Sequence, residues 1–253
     1  MSGQPLPAAF GRATGVPALL RAMSDSDPGR PRLTWYDDSP GPTRGERIEL
    51  SARVLANWVA KAANLLVDEL DVEPGDVVVV DLPVHWRGAY WVLAGLSAGA
   101  TVVVSPGDVP ADVRVWLTDD PLTAPPAGTV VAVTLPALAR AWVGAPLPDG
   151  VVDEAASVTG QPDVFEPAEQ PDAGTTALVV GGTSLTYDQL MPAAQAAGVS
   201  WAAGVRLLST LGALDPVGQL LAPLLLDGSI VLVRDPDPAL QGDRRETELV
   251  TAG

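Results

Sequence analysis

Few residues of this 253-residue chain have both the type and the spacing to do chemistry. Gly95-Leu96-Ser97-Ala98-Gly99 has the Gly-x-Ser-x-Gly spacing of a serine nucleophile. That chemistry needs the serine on a strand-to-helix turn, with aspartate and histidine later in the chain. Here the pattern runs from helix to strand, and the single histidine, His85, lies upstream. Ser97 is therefore expected as a small residue where a helix meets its strand. His85 follows a predicted parallel strand at its C-terminal end, where α/β proteins place ligand contacts. It is a ligand-contact candidate on that ground, although a loop histidine needs no function. Gly181-Gly182-Thr183-Ser184 could form a small backbone anion nest. The same residues also read as a tight turn feeding a helix through Thr186 as N-cap. Asp215, just before Pro216, is expected to cap a helix.

Other chemistries lack their residues. The chain has no cysteine, which excludes disulfides, thiolate catalysis and cysteine-bound metal. The acidic residues are scattered without a metal-ligand spacing such as an EF-hand loop. Dinucleotide-binding, phosphate-loop lysine and His-Glu-x-x-His motifs are all absent. With 31 acidic against 15 basic residues the net charge is −16. Such a chain is repelled by nucleic acid phosphates and anionic membranes, so neither is an expected partner. The first twenty residues lack a basic start with a continuous apolar stretch, and no apolar run approaches the roughly 20 residues needed to span a bilayer. A soluble, cytoplasmic protein is expected.

The elements that must position these residues follow from periodicity. Residues 1–32 read as an arm with one helical turn. Strands are expected at 33–36 and 48–50, then a helix over 52–69 opened by Ser51, with Val54, Leu55, Trp58, Val59, Ala62, Leu65 and Leu66 at helical spacing. Val77 to Leu82 is a β-branched apolar run, as in a parallel strand buried on both faces. A helix at 86–98, stopped by Gly99, and a strand at 101–104 complete a β-α-β unit. Strands at 113–118 and 130–134 and a helix at 136–143 precede a Pro- and acid-rich connector to Asp172. A strand at 177–180, a helix at 187–203, a strand at 206–211, a helix at 217–226 and a strand at 230–233 follow. The tail from Asp235 reads as polar and solvated. Trp58, Trp91 and Trp201 fall in predicted helices and are expected in the core.

The pattern repeats. Leu50-Ser51-x-x-Val54-Leu55 and Leu185-Thr186-x-x-Gln189-Leu190 each open a helix, and each is followed by glycine, strand, helix, glycine and strand. Gly75 to Gly99 and Gly204 to Gly228 have the same spacing. The fold class expected is α/β, with two similar lobes of mostly parallel sheet flanked by helices. The lobes are placed at 33–172 and 173–234, with a tail at 235–253.

Arg47 to Val104 resembles the opening of the adenylate-forming enzymes: acyl-CoA synthetases, luciferases and nonribosomal adenylation domains. The matching pieces are Leu50-Ser51-Ala52-Arg53-Val54-Leu55, Pro74-Gly75-Asp76, Asp81-Leu82-Pro83 and Ala98-Gly99-Ala100 before Thr101 to Val104. Leu208-Ser209 to Gly218, Leu221-Ala222-Pro223-Leu224 and Asp227-Gly228 are similar to a later stretch of the same family. The resemblance spans most of 33–234 and implies the N-terminal subdomains of that fold. In the family, a Ser/Thr/Gly-rich loop ending in Pro-Lys holds the ATP phosphates. Here the strand at 177–180 passes through Gly181 to Ser184 into Leu185-Thr186-Tyr187 with no lysine. Asp215 stands where the family has an ATP-side histidine. The family's acidic magnesium motif and mobile C-terminal domain have no counterpart in the sequence.

The resemblance therefore implies a non-catalytic relative of AMP-binding acyl-CoA synthetases. Such a relative is expected to bind a small acyl- or nucleotide-like ligand, or a protein partner, in a groove between lobes. The alternative is a component of an ATP-dependent acid–CoA ligase whose missing parts come in trans. The ligand-contact candidates are Gly181, Gly182, Thr183, Ser184, Asp215 and His85, with no catalytic residue and no metal ligand. No cofactor is expected, because the motifs support neither ATP, AMP nor CoA.

Overall fold

The computed structural model describes residues 6–104, 107 and 112–253. Residues 1–5 of the expected arm, and 105–106 and 108–111 of the expected first lobe, lie outside the described residues. In chain order, helices α1 (Ala8–Gly11) and α2 (Val16–Ser26) precede strands β1 (Pro31–Asp37) and β2 (Arg47–Ser51). Helix α3 (Ala52–Asn64) continues as a π turn at Leu65–Glu69, followed by β3 (Val77–Asp81), α4 (Trp86–Ser97) and β4 (Thr101–Val104). Then come β5 (Val113–Thr118), β6 (Thr129–Ala132), β7 (Val152–Asp153), α5 (Glu154–Val158), β8 (Thr176–Val180), β9 (Thr183–Thr186) and α6 (Tyr187–Ala197). The last elements are β10 (Arg206–Ser209), a π turn at Pro216–Leu221 running into α7 (Ala222–Leu225), β11 (Ser229–Arg234) and α8 (Gln241–Thr247). No helix among the described residues is long and apolar enough to cross a membrane.

The repeat in the sequence is a repeat of structure. Each copy is an antiparallel hairpin, a helix, and two parallel strands joined by a second helical connection: β1-β2-α3-β3-α4-β4, and β8-β9-α6-β10-α7-β11. Ser51 Oγ accepts from Val54 N at 3.3 Å to start α3, whose Leu55, Val59 and Ala62 are buried, as are Leu65 and Leu66 of the π turn. The punctuating glycines have physical causes. Gly75, Gly99 and Gly204 hold φ of +91°, +83° and +77°, a region that L side chains avoid. At Gly228 a Cβ would lie 2.4 Å from the Val205 carbonyl oxygen.

The two copies exchange their hairpins. One sheet has the order β10-β11-β1-β2, the other β7-β6-β5-β3-β4-β8-β9. The hairpin of the first copy thus pairs with the last strand of the second, β1 parallel to β11, with Leu33 opposite Ile230. The second hairpin pairs with the last strand of the first, β4 parallel to β8, with Val102 opposite Leu178. Consequently the chain does not divide at 172/173. One compact unit is Met1–Ala56, Pro83–Ala89 and Gln189–Gly253; the other is Asn57–Leu82 and Tyr90–Asp188. In the second unit, Val78, Val79 and Val80 of β3 are buried, as expected of a parallel strand covered on both faces. One face packs Val79, Val103, Val113 and Trp116 together.

Four expectations change. The arm contains the 11-residue α2, which buries Leu19 and Met23, rather than one helical turn. No helix forms at 136–143; Ala139 only closes a turn on Pro136, and Asp153 takes the Trp142 amide at 2.8 Å. Helix α6 stops at Ala197, before Gly198.

The tail, finally, is not a solvated extension. Residues 251–253 run along the edge of β10, Leu207 bridging Ala252 in parallel, and Val250 packs on Leu208, Val231 and Val233. Arg244 and Glu248 are buried because each finds partners. Glu248 accepts from Tyr36, Arg47 and Arg206, and Arg244 holds Asp38.

Candidate functional site

Strands β8 and β9 are joined by two residues only, Gly181 and Gly182, with Val180 opposite Thr183 as the closing pair. Their φ values are +54° and +78°. Two consecutive positive φ values are the signature of the type I′ turn, whose twist matches a tight hairpin. A Cβ built on either glycine would meet nothing within 4 Å, so conformation and not crowding demands glycine there. A nest, by contrast, gathers successive N–H groups from αR–αL or turn geometry around an anion. Thr183 and Ser184 are exposed on β9, at the edge of the seven-stranded sheet.

The only lysine is structural. Lys61 Nζ donates to the Thr159 and Gln161 carbonyls and pairs with Asp163 at 2.9 Å. Asn64, one turn on, donates to the Pro162 and Val164 carbonyls at 3.0 and 2.9 Å. Together these two side chains fasten the loop after α5 to α3.

Asp215 caps its helix. Oδ1 accepts from Val217 N at 3.0 Å and Gly218 N at 3.1 Å, and the Asp215 amide donates to Gln219 Oε1 at 2.9 Å. Its charge is therefore directed at the amides of its own helical turn, which Pro216 opens.

His85 is fully buried, its ring set edge-on to Trp35 at 4.3 Å. Nδ1 accepts from Arg87 N at 3.1 Å, which places the neutral ring's proton on Nε2. Trp35 Nε1 donates to the Val84 carbonyl at 2.9 Å and fixes the other side of this corner. Of the six candidates, Gly181 to Ser184 share one hairpin, while His85 and Asp215 belong to the other compact unit.

Ser97 is engaged by its own helix. Its buried Oγ donates to the Leu93 carbonyl one turn back at 2.7 Å. The two glycines of the motif are explained by packing: a Cβ on Gly95 would sit 2.7 Å from Val102 Cγ2, and Gly99 ends α4 with positive φ.

The fold concentrates further polar residues that no local sequence pattern marks. Burial alone would raise the Glu248 carboxyl, but hydrogen bonds from Tyr36, Arg206 and Arg47 outweigh it and hold it below its ordinary value. The Tyr36 phenol is raised, by burial and then by donating to that carboxylate. Burial raises Asp81 at the C-terminal end of β3. In the same unit, buried Tyr90 donates to buried Glu154 and stacks on Trp58 at 5.5 Å. Glu248 lies 201 residues from Arg47, and no local spacing could announce such a pairing. Among the described residues no group of three His, Cys, Asp or Glu side chains is placed to hold a metal ion.

No protein-family model matches the chain. A protein of Mycobacterium tuberculosis described as "TIGR03089 family protein" is 38% identical over 244 residues, covering 92% of this chain and 95% of that protein. Among solved structures, an acyl-CoA synthetase of Brucella canis superposes with a TM-score of 0.68 at 19% identity, over 92% of this chain and 46% of its own. NpsA-ThdA, an artificially fused adenylation–PCP di-domain of a nonribosomal peptide synthetase from Klebsiella oxytoca, gives a TM-score of 0.65 at 16% identity. It is matched over 94% of this chain and 42% of its own. The chain thus spans less than half the length of these two structures. The fold is part of the adenylate-forming fold, and the chain belongs to the family of the mycobacterial TIGR03089 protein.

Proposed function

We propose that this protein does not form adenylates by itself, and that it binds a small acyl- or nucleotide-like ligand or a protein partner as a non-catalytic relative of the acyl-CoA synthetases. The observation that supports this reading is the two-residue turn at Gly181-Gly182. A triphosphate needs several converging N–H groups and a cation. This turn is spent on closing a hairpin, and the single lysine is engaged with the 159–163 loop. Asp215 adds a carboxylate already committed to its own helix.

The test is ATP–pyrophosphate exchange with the purified full chain, across aliphatic and aromatic carboxylic acids. No exchange above background is expected; acid-dependent exchange by the protein alone would refute the reading. Thermal shift with AMP, CoA and acyl-CoAs then searches for the ligand. A ligand at 100 times its Kd adds about 2.7 kcal/mol of stability. A second reading is supported by coverage, since the chain spans 46% and 42% of the two solved structures. In it, the protein is one component of an acid–CoA ligase whose remaining parts come in trans. Exchange activity that appears only with a co-purified partner would favour it.

A further inference from the structure

One face of the four-stranded sheet in the first unit gathers arginines although the chain as a whole carries a charge of −16. Arg206 starts β10 beside Ser229, which starts β11, and Arg47 stands opposite Tyr36 on β2. With Arg30, Glu49, Glu248, Leu249 and Thr251 they line an open cavity of about 640 Å³. Three arginines and two glutamates line it, a formal excess of one positive charge that Asp227, paired with Arg30 at 3.3 Å outside the lining, offsets.

The donors left over matter more than the excess charge. Glu248 already fills the carboxylate position, taking Tyr36 and Arg47 on Oε1 and Arg206 on Oε2. Arg30 Nη1 is held by Asp227, Arg47 Nη2 also by Glu49, and Arg206 Nη1 and Nη2 by Ser229 and Thr34. Among the described residues, Arg30 Nη2, Arg47 Nη1 and Arg206 Nε make no hydrogen bond. Ser229 Oγ accepts from Arg206 Nη1 at 3.1 Å and the Thr251 hydroxyl from Arg206 N at 2.9 Å, so each keeps its own proton to donate. Donors spread over three arginines and two hydroxyls suit the several oxygens of a tetrahedral anion better than a planar carboxylate.

A second, independent observation sits in the cavity wall. Leu249, two residues past the end of α8, has φ +52° and is 77% exposed. That left-handed position after a helix is the one that glycine normally takes, and a leucine there is strained. An exposed apolar side chain thus belongs to the same lining as the unused donors, with Pro31 and Tyr36 as further wall.

We propose that this cavity binds a small organic phosphate monoester, the phosphate on Arg30, Arg47, Arg206 and the two hydroxyls, the organic part against Leu249. The site is separate from the Gly181–Ser184 hairpin and does not depend on the reading given for it. The experiment titrates the full-length protein with phenyl phosphate, inorganic phosphate and benzoate, followed by calorimetry and by ³¹P line broadening. Phenyl phosphate should bind saturably and several-fold tighter than inorganic phosphate. Arg47→Gln and Arg30→Gln should each weaken it about tenfold, a loss of about 1.4 kcal/mol. Arg53→Gln, which removes the same charge from exposed Arg53 outside the cavity lining, should leave it unchanged.

Leu249→Gly should abolish the preference for phenyl phosphate while raising the melting temperature, which separates lost contact from lost fold. Absence of saturable phosphate binding into the tens of millimolar would overturn the proposal. So would equal weakening by Arg53→Gln, or benzoate binding as tightly as phenyl phosphate.

Discussion

Arg244 grips Asp38 through two parallel hydrogen bonds, Nη1 to Oδ2 at 2.9 Å and Nη2 to Oδ1 at 2.8 Å, across 206 residues of sequence. The guanidinium also lies over the Tyr36 ring at 4.3 Å. Both side chains are nearly inaccessible, at 6% and 3% exposure, so removing one strands a buried charge. Arg244→Ala should cost about 3 kcal/mol in urea unfolding, at the low end for a broken buried pair. A cost below about 1 kcal/mol would make the pair equivalent to a surface bridge and the tail dispensable.

Acid should loosen the same segment. Burial alone would raise Asp38, but Arg244, the Asp237 amide and Gln241 lower it, and Glu248 is lowered by its donors. A carboxyl whose folded value lies below its unfolded one stabilises fully above the unfolded value, roughly pH 4, and loses that as pH falls through the folded value. Thermal unfolding followed from pH 7 down to pH 2 should show a fall beginning near pH 4. Glu248→Gln should flatten part of that fall while lowering stability at pH 7. An unchanged pH profile in Glu248→Gln would contradict the assignment.

Asp81 carries the opposite sign. Burial raises its carboxyl above the ordinary value, partly offset by Trp116, so at neutral pH its ionised form opposes folding. Asp81→Asn should raise the melting temperature at pH 7 and leave it nearly unchanged at pH 3. A protein destabilised by Asp81→Asn at pH 7 would show that the charge is held by a partner that outweighs burial.

How much of this was legible in the sequence depends on the range of the interaction. Most strands and helices and the glycine spacing of 75–99 and 204–228 are local patterns and reappear in the fold, while the helix expected at 136–143 does not, and α6 and β10 end sooner than expected. Which hairpin pairs with which strand is not local. Leu33 to Tyr36, Val102 to Val104, Leu178 to Val180 and Ile230 to Val233 are alike in character, so apolarity could not choose between the exchanged and unexchanged pairings. Strand β9 escaped notice because Thr183-Ser184-Leu185-Thr186 is an edge with one apolar residue. At the site, the missing lysine and the Asp215 cap could be read directly. The role of Lys61 could not, because its partners lie about 100 residues away.

The Gly181-Gly182 turn gives a conformational test. A non-glycine residue in the left-handed region costs about 1 to 2 kcal/mol, least for asparagine. Gly182→Val should therefore destabilise by about that much, and Gly181→Asn by much less. If Gly182→Val is neutral, the turn is not the type I′ closure of the β8-β9 ladder, and the case against a phosphate loop weakens with it.

Asp215 separates a structural from an electrostatic role. As a cap it satisfies the amides of Val217 and Gly218, so Asp215→Ala should lose about 1 kcal/mol. Asparagine is nearly as good a cap as aspartate, so Asp215→Asn should lose only a few tenths. A charge that merely repelled phosphate would behave differently. Asparagine and alanine would then act alike, leaving stability unchanged and allowing magnesium–ATP to stabilise both variants. Urea unfolding of the two variants, each with and without magnesium–ATP, reads both quantities at once. The cap geometry predicts a stability gap between alanine and asparagine and no nucleotide-dependent shift in either.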